Sequence, residues 1–236
     1  MPENPFDDFE MIRKGMNNML YNIAIDGPAG AGKSTIAKLI AKKKNYIYVD
    51  TGAMYRAMAL FFIENGVNPD DQETISRTCK DVDISIVYED GQQIVLLNGK
   101  NVNHLLRQEE VGKMASKSSA NKDVREKLVD LQRKLAKKES VVMDGRDIGT
   151  VVLPDANVKI YLTASSRVRA QRRYDELQAK GEACNIDVIE QDIIERDYQD
   201  MHREISPLTQ AKDAILVDSS DMSIEEVADL IISYCK

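Results

Sequence analysis

Short apolar runs alternate along this chain with longer stretches in which apolar residues recur at helical spacing. The short runs predict strands at residues 20–26, 46–50, 141–144, 158–164 and 214–218. The longer stretches predict helices at residues 33–44, 51–66, 107–138, 165–180, 186–204 and 223–235. A short apolar run is typical of a buried strand, and apolar residues at every third or fourth position are typical of an amphipathic helix. Strands that alternate with helices favour parallel βαβ units.

Two of the predicted helices have recognisable ends. The helix of residues 51–66 begins at Thr51, a candidate N-cap, and ends at a glycine. The last helix begins at Ser223, and Glu226 follows three residues later, which is the capping-box pattern. These ends support the boundaries that the apolar spacing predicts.

Residues 82–103 follow a different period. Apolar and polar residues alternate there, the alternation breaks at Asp90-Gly91, and a second turn follows at Asn98-Gly99. Such turns between alternating runs predict a hairpin or a small antiparallel unit. We expect this unit to be an insertion into an α/β fold with a parallel sheet.

Length and composition are those of a globular protein. The chain has 236 residues, enough for one domain with insertions or for two small domains. Hydrophobic residues make up 43% and charged residues 30%, which allows a sizeable core. The net charge of −7 argues against unspecific nucleic-acid binding, which needs a basic face. A small anionic ligand is not excluded, because a local cluster of arginines acts at short range.

The cysteines and histidines suggest neither a metal site nor a disulfide framework. Cys79, Cys184 and Cys235 lie far apart without a CxxC pair, and nothing pairs His104 with His202 as ligands. No apolar run reaches the ~18 residues of a membrane span. The acidic N-terminus lacks the apolar centre of a secretory signal. We therefore expect a reducing, cytoplasmic setting.

A glycine-rich loop satisfies the pattern GxxxxGK[ST], with a predicted strand before it and a helix after it. Backbone N–H groups of such a loop point at phosphates, and the helix N-terminus adds partial positive charge. Lys33 is placed to bridge β- and γ-phosphates, and the Ser34 hydroxyl suits Mg²⁺. The alternative is a chance glycine-rich turn. The expected ATP-binding residues are Gly27, Pro28, Ala29, Gly30, Ala31, Gly32, Lys33, Ser34 and Thr35.

This loop predicts nucleotide binding without indicating what the nucleotide is used for. A GTPase needs the sequence NKxD, and residues 121–124 (NKDV) lack the final aspartate. A motor ATPase normally needs a longer chain, whereas a small kinase fits the length. A nucleotide-dependent binding switch without an acceptor is the alternative from another functional class.

Charged side chains follow the ends of two further predicted strands. Arg56 follows the second strand, whereas Asp144 ends the strand VVMD and precedes Arg146 and Asp147. Because parallel strands end at one edge of a sheet, we expect these residues near Lys33. Asp144 then resembles a carboxylate that holds Mg²⁺ through water, and a guanidinium fork suits a second phosphate. An exposed helix arginine and a surface turn with an internal ion pair are the alternatives.

Four stretches together resemble the bacterial cytidylate kinases, which are P-loop nucleoside monophosphate kinases. The stretches are IDGPAGAGKST, DTGAMYR, DGRDIGTVV and ERDYQDMHREISPL, and the resemblance extends over residues 21–236. Adenylate kinases are similar at the glycine-rich loop but carry a DGFPR-like segment where this chain has DGRDIG. The unit at residues 82–103 resembles the antiparallel segment that short eukaryotic UMP/CMP kinases lack.

The resemblance implies a fold and an activity. The fold is a P-loop three-layer α/β/α core (residues 21–65 and 138–236), with an NMP-binding insertion at about 66–137 and a helical lid at about 168–184. Residues 1–20 are interpreted as an extension, either appended or a mis-set start, which we expect to be poorly ordered. The implied activity is transfer of the γ-phosphoryl group of ATP to CMP or dCMP with Mg²⁺. We expect a monomer that binds neither nucleic acid nor membranes.

The resemblance also implies roles for individual residues. The catalytic residues would be Lys33, Arg146 and Arg196, the metal ligands Ser34 and (through water) Asp144, and a further ATP-binding residue Arg172. The CMP-binding residues would be Thr51, Tyr55, Arg56, Ser116, Arg125, Arg146, Asp147, Arg196, Asp200 and Arg203. Arg56 and Arg146 would hold the acceptor phosphate. Asp147 would accept a hydrogen bond from the exocyclic amine of cytosine, and Arg125 would donate to its ring.

Several of these positions also fit other interpretations. Arg196, Asp200 and Arg203 share one helical face, which would also suit an exposed, salt-bridged surface. The residues expected to pack inward from the opposite face are Ile194, Tyr198 and Met201. A solvated face would equally explain the adjacent pair Arg172-Arg173. The alternatives to Ser116 are Ser118 and Ser119, and the alternatives to CMP are another nucleoside monophosphate or shikimate.

Overall fold

The structure, a computed structural model, describes residues 20–89 and 92–236. Its strands are β1 (Asn22–Asp26), β2 (Ile47–Asp50), β3 (Ile84–Glu89), β4 (Gln92–Leu97), β5 (Lys100–Asn101), β6 (Val141–Gly145), β7 (Val158–Thr163) and β8 (Ile215–Asp218). A parallel sheet has the strand order β2-β6-β1-β7-β8, and β3, β4 and β5 form a second, antiparallel sheet. The predicted N-terminal extension lies outside the described residues except for Leu20.

Helices connect the strands of the parallel sheet. They are α1 (Lys33–Lys44), α2 (Thr51–Glu64), α3 (Gln72–Thr78), α4 (Glu109–Ser118), α5 (Lys122–Ala136), α6 (Ser166–Ala179), α7 (Ile186–His202) and α8 (Ile224–Ser233). A 3-10 turn (Cys79–Asp81) follows α3, and a π-helical turn (Ile148–Val152) follows β6. Within the described ranges, no helix combines the length and the apolar character that crossing a membrane requires.

Apolar clusters cover both faces of the parallel sheet. On one face, Ile40 of α1 and Ile231 of α8 pack in a cluster with Ile25 of β1. On the other face, Phe62 of α2 packs in a cluster with Met143 of β6. Burial of each such side chain stabilises the fold by about 1.5–3 kcal/mol. The predicted three-layer α/β/α architecture is therefore confirmed.

The register of the parallel sheet brings three carboxylates to one edge. Asp144 of β6 is paired with Asp50 of β2. On its other side, Asp144 is paired with Ile25 of β1, the residue before Asp26. Parallel strands of α/β folds bind ligands beyond their carboxyl ends. This edge is consequently where a polar site is expected.

The antiparallel sheet confirms the predicted insertion and lies beside the edge strand β2. The side chain of Gln93 accepts from the backbone N–H of Asp50 at 2.8 Å and donates to its carbonyl at 3.2 Å. The Tyr88 hydroxyl donates to the backbone carbonyl of Tyr48 at 3.0 Å. These bonds pair backbone groups that an edge strand otherwise leaves open. The predicted turn at residues 90–91 lies outside the described residues.

Local capping overturns two helix predictions. The single helix predicted at residues 107–138 is wrong, because α4 and α5 are separate. The Asn121 side chain accepts from the backbone N–H groups two and three residues later, at 3.1 and 3.3 Å, and starts a new helix. Thr51 is likewise not the N-cap of α2. Asp50 takes that position and accepts from the Ala53 N–H at 2.8 Å.

The predicted inward packing of apolar residues on α7 is also wrong. Ile194, Tyr198 and Met201 are 46%, 63% and 42% exposed. The residue that α7 buries is Asp197, whose Oδ2 lies 2.6 Å from Nη2 of Arg169. This helix is held by ion pairs, so its hydrophobic pattern does not indicate its buried face.

Two glycines with positive φ provide a matched test of the loop that follows β1. An added Cβ at Gly27 (φ 149°) would lie 1.9 Å from the carbonyl oxygen of Leu162, whereas at Gly99 (φ 78°) it would meet no other described atom within 4 Å. We expect Gly27→Ala to lower the free energy of unfolding by about 3 kcal/mol or more. Gly99→Ala should lower it by about 1–2 kcal/mol. Urea unfolding followed by circular dichroism measures both, and equal losses would contradict the close approach at Gly27.

Candidate active site

A cavity of about 280 Å³ opens at the carboxyl edge of the parallel sheet. The predicted site residues that line it are Ala29, Gly30, Lys33, Ser34, Thr51, Tyr55, Arg56, Ser116, Arg125, Asp144, Arg146, Asp147, Arg196, Asp200 and Arg203. Its cationic side chains are Lys33 and five arginines, and its carboxylates are Asp50, Asp144, Asp147 and Asp200. The lining thus carries an excess of positive charge although the whole chain has a net charge of −7. Such a cavity suits an anionic ligand.

The glycine-rich loop leads from β1 into α1, whose first residue is Lys33. The Lys33 ammonium group donates to the carbonyl oxygen of Pro28 at 2.6 Å. Burial, together with the charge of Arg146, lowers the pKa of Lys33 well below its usual range. A helix N-terminus and a buried ammonium group therefore face the same end of the cavity, as phosphate binding requires.

The Asp144 carboxyl group joins three elements of this edge. It accepts from the Ser34 hydroxyl of α1 and from the Tyr48 hydroxyl of β2, both at 2.9 Å. The backbone carbonyl of Asp144 accepts from the Thr51 hydroxyl at 2.7 Å. Burial and the nearby charge of Asp50 raise the pKa of Asp144 above its usual range. A hydroxyl beside a carboxylate fits Mg²⁺, which usually takes one or two protein ligands along with phosphates and water.

Arg56 of α2 lies on the second side of the cavity. Its Nη2 lies 3.3 and 3.4 Å from the two carboxylate oxygens of Asp50. Its Nε is buried and has no hydrogen-bond partner within residues 20–89 and 92–236. Arg56 is therefore held by Asp50 through Nη2 while one buried N–H donor stays unsatisfied, which is costly and favours a further anionic partner for this guanidinium group.

Arg146 and α7 form the third side. Arg146 Nε donates to Asp200 Oδ2 at 2.7 Å. Although burial acts in the opposite direction, the Arg146 guanidinium and neighbouring arginines hold the pKa of Asp200 below its usual range. Burial, with the charges of Arg146 and Arg56, lowers the pKa of Arg196. Arg196, Asp200 and Arg203 all line the cavity. The predicted shared helical face is wrong for Arg203, because α7 ends at His202 and Arg203 follows it with an extended backbone, and Arg196 remains exposed to solvent.

A buried cluster around Asp147 closes the far end of the cavity. Arg125 donates to Asp147 Oδ2, and the side chains of both residues are 6% exposed. Arg203 Nη2 lies 3.9 Å from Asp147 Oδ1 and, among the described residues, has no hydrogen-bond partner. The Arg125 guanidinium lies 5.7 Å from the ring centroid of Tyr55. Donors and acceptors in fixed positions are what the recognition of a polar ring requires.

Some predicted residues lie away from the cavity lining. They are Gly27, Pro28, Ala31, Gly32, Thr35 and Arg172. Arg172 donates instead to the carbonyl of Ser219 at 2.8 Å. Among the three candidate serines, Ser116 and Ser119 line the cavity, whereas the buried hydroxyl of Ser118 donates to a carbonyl of its own helix.

Several residues that support the site have no strong signal in the sequence. Asp26 accepts from the backbone N–H groups of Ile148 and Gly149, each at 2.7 Å, and so fixes the turn that follows Asp147. Burial raises the pKa of Asp26 to about 6, although these two bonds oppose the shift. Arg169 donates to the carbonyl of Ala29 at 2.9 Å and steadies the glycine-rich loop. These contacts join residues more than 100 positions apart, which no local motif indicates.

Comparisons with known proteins show the family of this chain. A model of the family described as "Cytidylate kinase" matches residues 23–236. The cytidylate kinase of Lactobacillus gasseri is 51% identical over 217 residues, which cover 92% of this chain and 94% of that protein. The cytidylate kinase of Carboxydothermus hydrogenoformans is 51% identical over 205 residues, covering 87% and 92%. An uncharacterized protein from Eubacterium ventriosum shares the fold, with a TM-score of 0.51 and 14% identity over 91% of this chain and 97% of that chain.

The lowered pKa of Lys33 predicts proton uptake when phosphates bind. Burial lowers the pKa of Lys33 to about 7, so at pH 8 we expect its side chain to be mostly the neutral amine in the free protein. A polyphosphate beside it would raise this pKa, so binding of Mg·ATP should take up a proton, to a maximum of about one. Titration calorimetry in two buffers with different ionisation enthalpies measures this number. The part of the uptake that is due to Lys33, which is the difference between the wild-type protein and Lys33→Arg, should disappear at pH 6, where Lys33 is already protonated. Equal uptake by Lys33→Arg would contradict the assignment.

Proposed function

The chain belongs to the cytidylate kinase family, and we propose that it transfers the γ-phosphoryl group of ATP to CMP or dCMP, giving CDP or dCDP and ADP. The observation that carries this proposal is the single cavity that joins the glycine-rich loop to the buried cluster around Asp147. One end suits a polyphosphate, the middle contains arginines that are held by carboxylates, and the other end suits a polar base.

At the ATP end, Lys33 and the backbone of the glycine-rich loop would bind the β- and γ-phosphates. Ser34 and Asp144 would hold Mg²⁺, with Asp144 acting through water, and the ion would neutralise phosphate charge. Arg172 would contact ATP from the segment at about residues 168–184, which we propose as the lid. Closure of a lid would exclude water and limit hydrolysis of ATP.

At the acceptor end, Arg56 and Arg146 would hold the phosphate of CMP. Their carboxylate partners Asp50 and Asp200 keep the guanidinium groups in place before the phosphate arrives. Arg196 would approach both phosphate groups, and Asp200 would accept from a sugar hydroxyl. The acceptor is already an anion, so the reaction needs no general base. Alignment and charge neutralisation would supply the rate enhancement.

Base selectivity would come from the end of the cavity that the cluster around Asp147 closes. Asp147 would accept from the exocyclic amine of cytosine, and Arg125 would donate to the ring, with Ser116 or Ser119 beside it. Uracil has a carbonyl oxygen where cytosine has the amine. This oxygen would face the carboxylate of Asp147, so two acceptors would meet without a hydrogen between them. A buried polar group left unpaired costs about 1–3 kcal/mol, and a charged group costs more.

The division of the chain follows from this arrangement. We propose a core of residues 21–65 and 138–236 and an NMP-binding insertion at about 66–137, which contributes Ser116 and Arg125. The free thiols of Cys79, Cys184 and Cys235 suit a reducing compartment, for which we propose the cytoplasm. We propose that the protein binds ATP together with CMP or dCMP. We also propose that it acts as a monomer.

An acceptor panel tests the proposed reaction. ADP release from Mg·ATP should be stimulated by CMP and dCMP, and kcat/KM for CMP should exceed that for UMP at least about tenfold. AMP, GMP and shikimate should give little stimulation. Equal values for CMP and UMP would contradict the role of Asp147. Turnover that no acceptor stimulates would favour a nucleotide-dependent binding switch instead.

Arg56→Ala separates the acceptor end from the ATP end. Loss of a guanidinium–phosphate contact should lower kcat/KM for CMP about 10- to 100-fold, whereas the affinity for ATP should stay within about twofold. Steady-state kinetics and titration calorimetry measure the two quantities. The matched control is Arg77→Ala, which removes an exposed arginine of α3 and should change neither. An equal loss of ATP affinity in Arg56→Ala would overturn the assignment.

A further inference from the structure

Ser206 has a backbone conformation that its residue type does not favour. Among the described residues, the non-glycine residues with positive φ are Asn45, Asn98 and Ser206, and φ of Ser206 is 51°. Asparagine tolerates this region comparatively well, whereas serine does so less readily. Such a conformation persists only where the surrounding structure imposes it, and it is often found at functional sites.

The contacts that impose this conformation lead directly to the cluster around Asp147. The Ser206 hydroxyl accepts from Nε of Arg125 at 3.1 Å. The Ser206 carbonyl accepts from Nε of Arg203 at 2.7 Å. One residue therefore holds the two guanidinium groups that face the two carboxylate oxygens of Asp147.

The segment around Ser206 is itself fixed. The backbone N–H of Leu208 donates to the carbonyl of Asp200 at 2.8 Å, and the Leu208 side chain is only 2% exposed. The left-handed turn at Ser206 thus connects α7 to a buried anchor. In this conformation the hydroxyl and the carbonyl of one residue reach two arginines at once.

We propose that Ser206 is a positioning residue for base selectivity, and this inference rests on the proposed function. It acts through Arg125 and Arg203 and does not line the cavity. By holding both guanidinium groups at their Nε atoms, Ser206 fixes where the carboxylate of Asp147 and the remaining donors of Arg125 point. Cytosine and uracil differ in the donors and acceptors of their ring edge, so discrimination depends on this orientation.

Two substitutions of Ser206 separate the hydroxyl from the backbone strain. Ser206→Ala removes the hydroxyl and keeps the strain, whereas Ser206→Gly removes the hydroxyl and relieves the strain. Both should lower kcat/KM for CMP about three- to tenfold, mainly through KM for CMP. Activity with UMP should change less, so the CMP-to-UMP ratio should fall in both variants. KM for ATP should stay unchanged, and Ser206→Gly should melt at or above the temperature of Ser206→Ala.

Asn45→Ala is the matched control for stability. It places alanine at another left-handed residue, at the far end of α1, and should lower the melting temperature without changing the CMP-to-UMP ratio. A CMP-to-UMP ratio that stays at the wild-type value in both Ser206 variants would overturn the inference. So would a ratio that falls in Ser206→Ala but stays at the wild-type value in Ser206→Gly, because the backbone strain and not the hydroxyl would then decide it. Wild-type protein that fails to phosphorylate CMP would instead contradict the proposed function, so the two failures are distinguishable.

Discussion

The buried carboxyl group of Asp144 is the contact on which the arrangement of the site depends. Its oxygens accept from Ser34 at the start of α1 and from Tyr48 on β2, and its backbone carbonyl accepts from Thr51 at the start of α2. A buried carboxylate is costly unless hydrogen bonds and opposite charge surround it. The helices that carry Lys33 and Arg56 are therefore tied to one point at the end of β6.

Ion pairs explain how a chain with a net charge of −7 can line a cavity with an excess of cationic side chains. Guanidinium groups of the lining are paired with carboxylates, as in Arg56 with Asp50, Arg146 with Asp200 and Arg125 with Asp147. Because these pairs already hold the guanidinium groups in position, little side-chain entropy would be lost when an anion binds. Among the described residues, the buried Nε of Arg56 and Nη2 of Arg203 have no hydrogen-bond partners, so the existing pairs do not satisfy every guanidinium donor.

Apolar periodicity and the glycine-rich loop were sufficient to predict the parallel sheet, most of the helices and the edge where the site lies, but they did not predict α3. They failed where a single side chain decides the local structure, as at Asn121, which separates α4 from α5, and Asp50, which caps α2. They failed again at α7, because ion pairs of Asp197 and Asp200 bury its charged face while Tyr198 stays exposed. The contacts of Asp26 were not predictable either, since they depend on the register between β1 and β6.

α7 connects the two ends of the cavity. Asp197 forms an ion pair with Arg169, which also donates to the carbonyl of Ala29 in the glycine-rich loop. Three residues further along α7, Asp200 forms an ion pair with Arg146 at the end of β6. One helix is therefore linked to the glycine-rich loop through Arg169 of α6 and contacts Arg146 directly, in both cases through ion pairs of its aspartates. Because buried ion pairs tolerate little displacement, the spacing between the two ends is set by α7 as well as by the sheet.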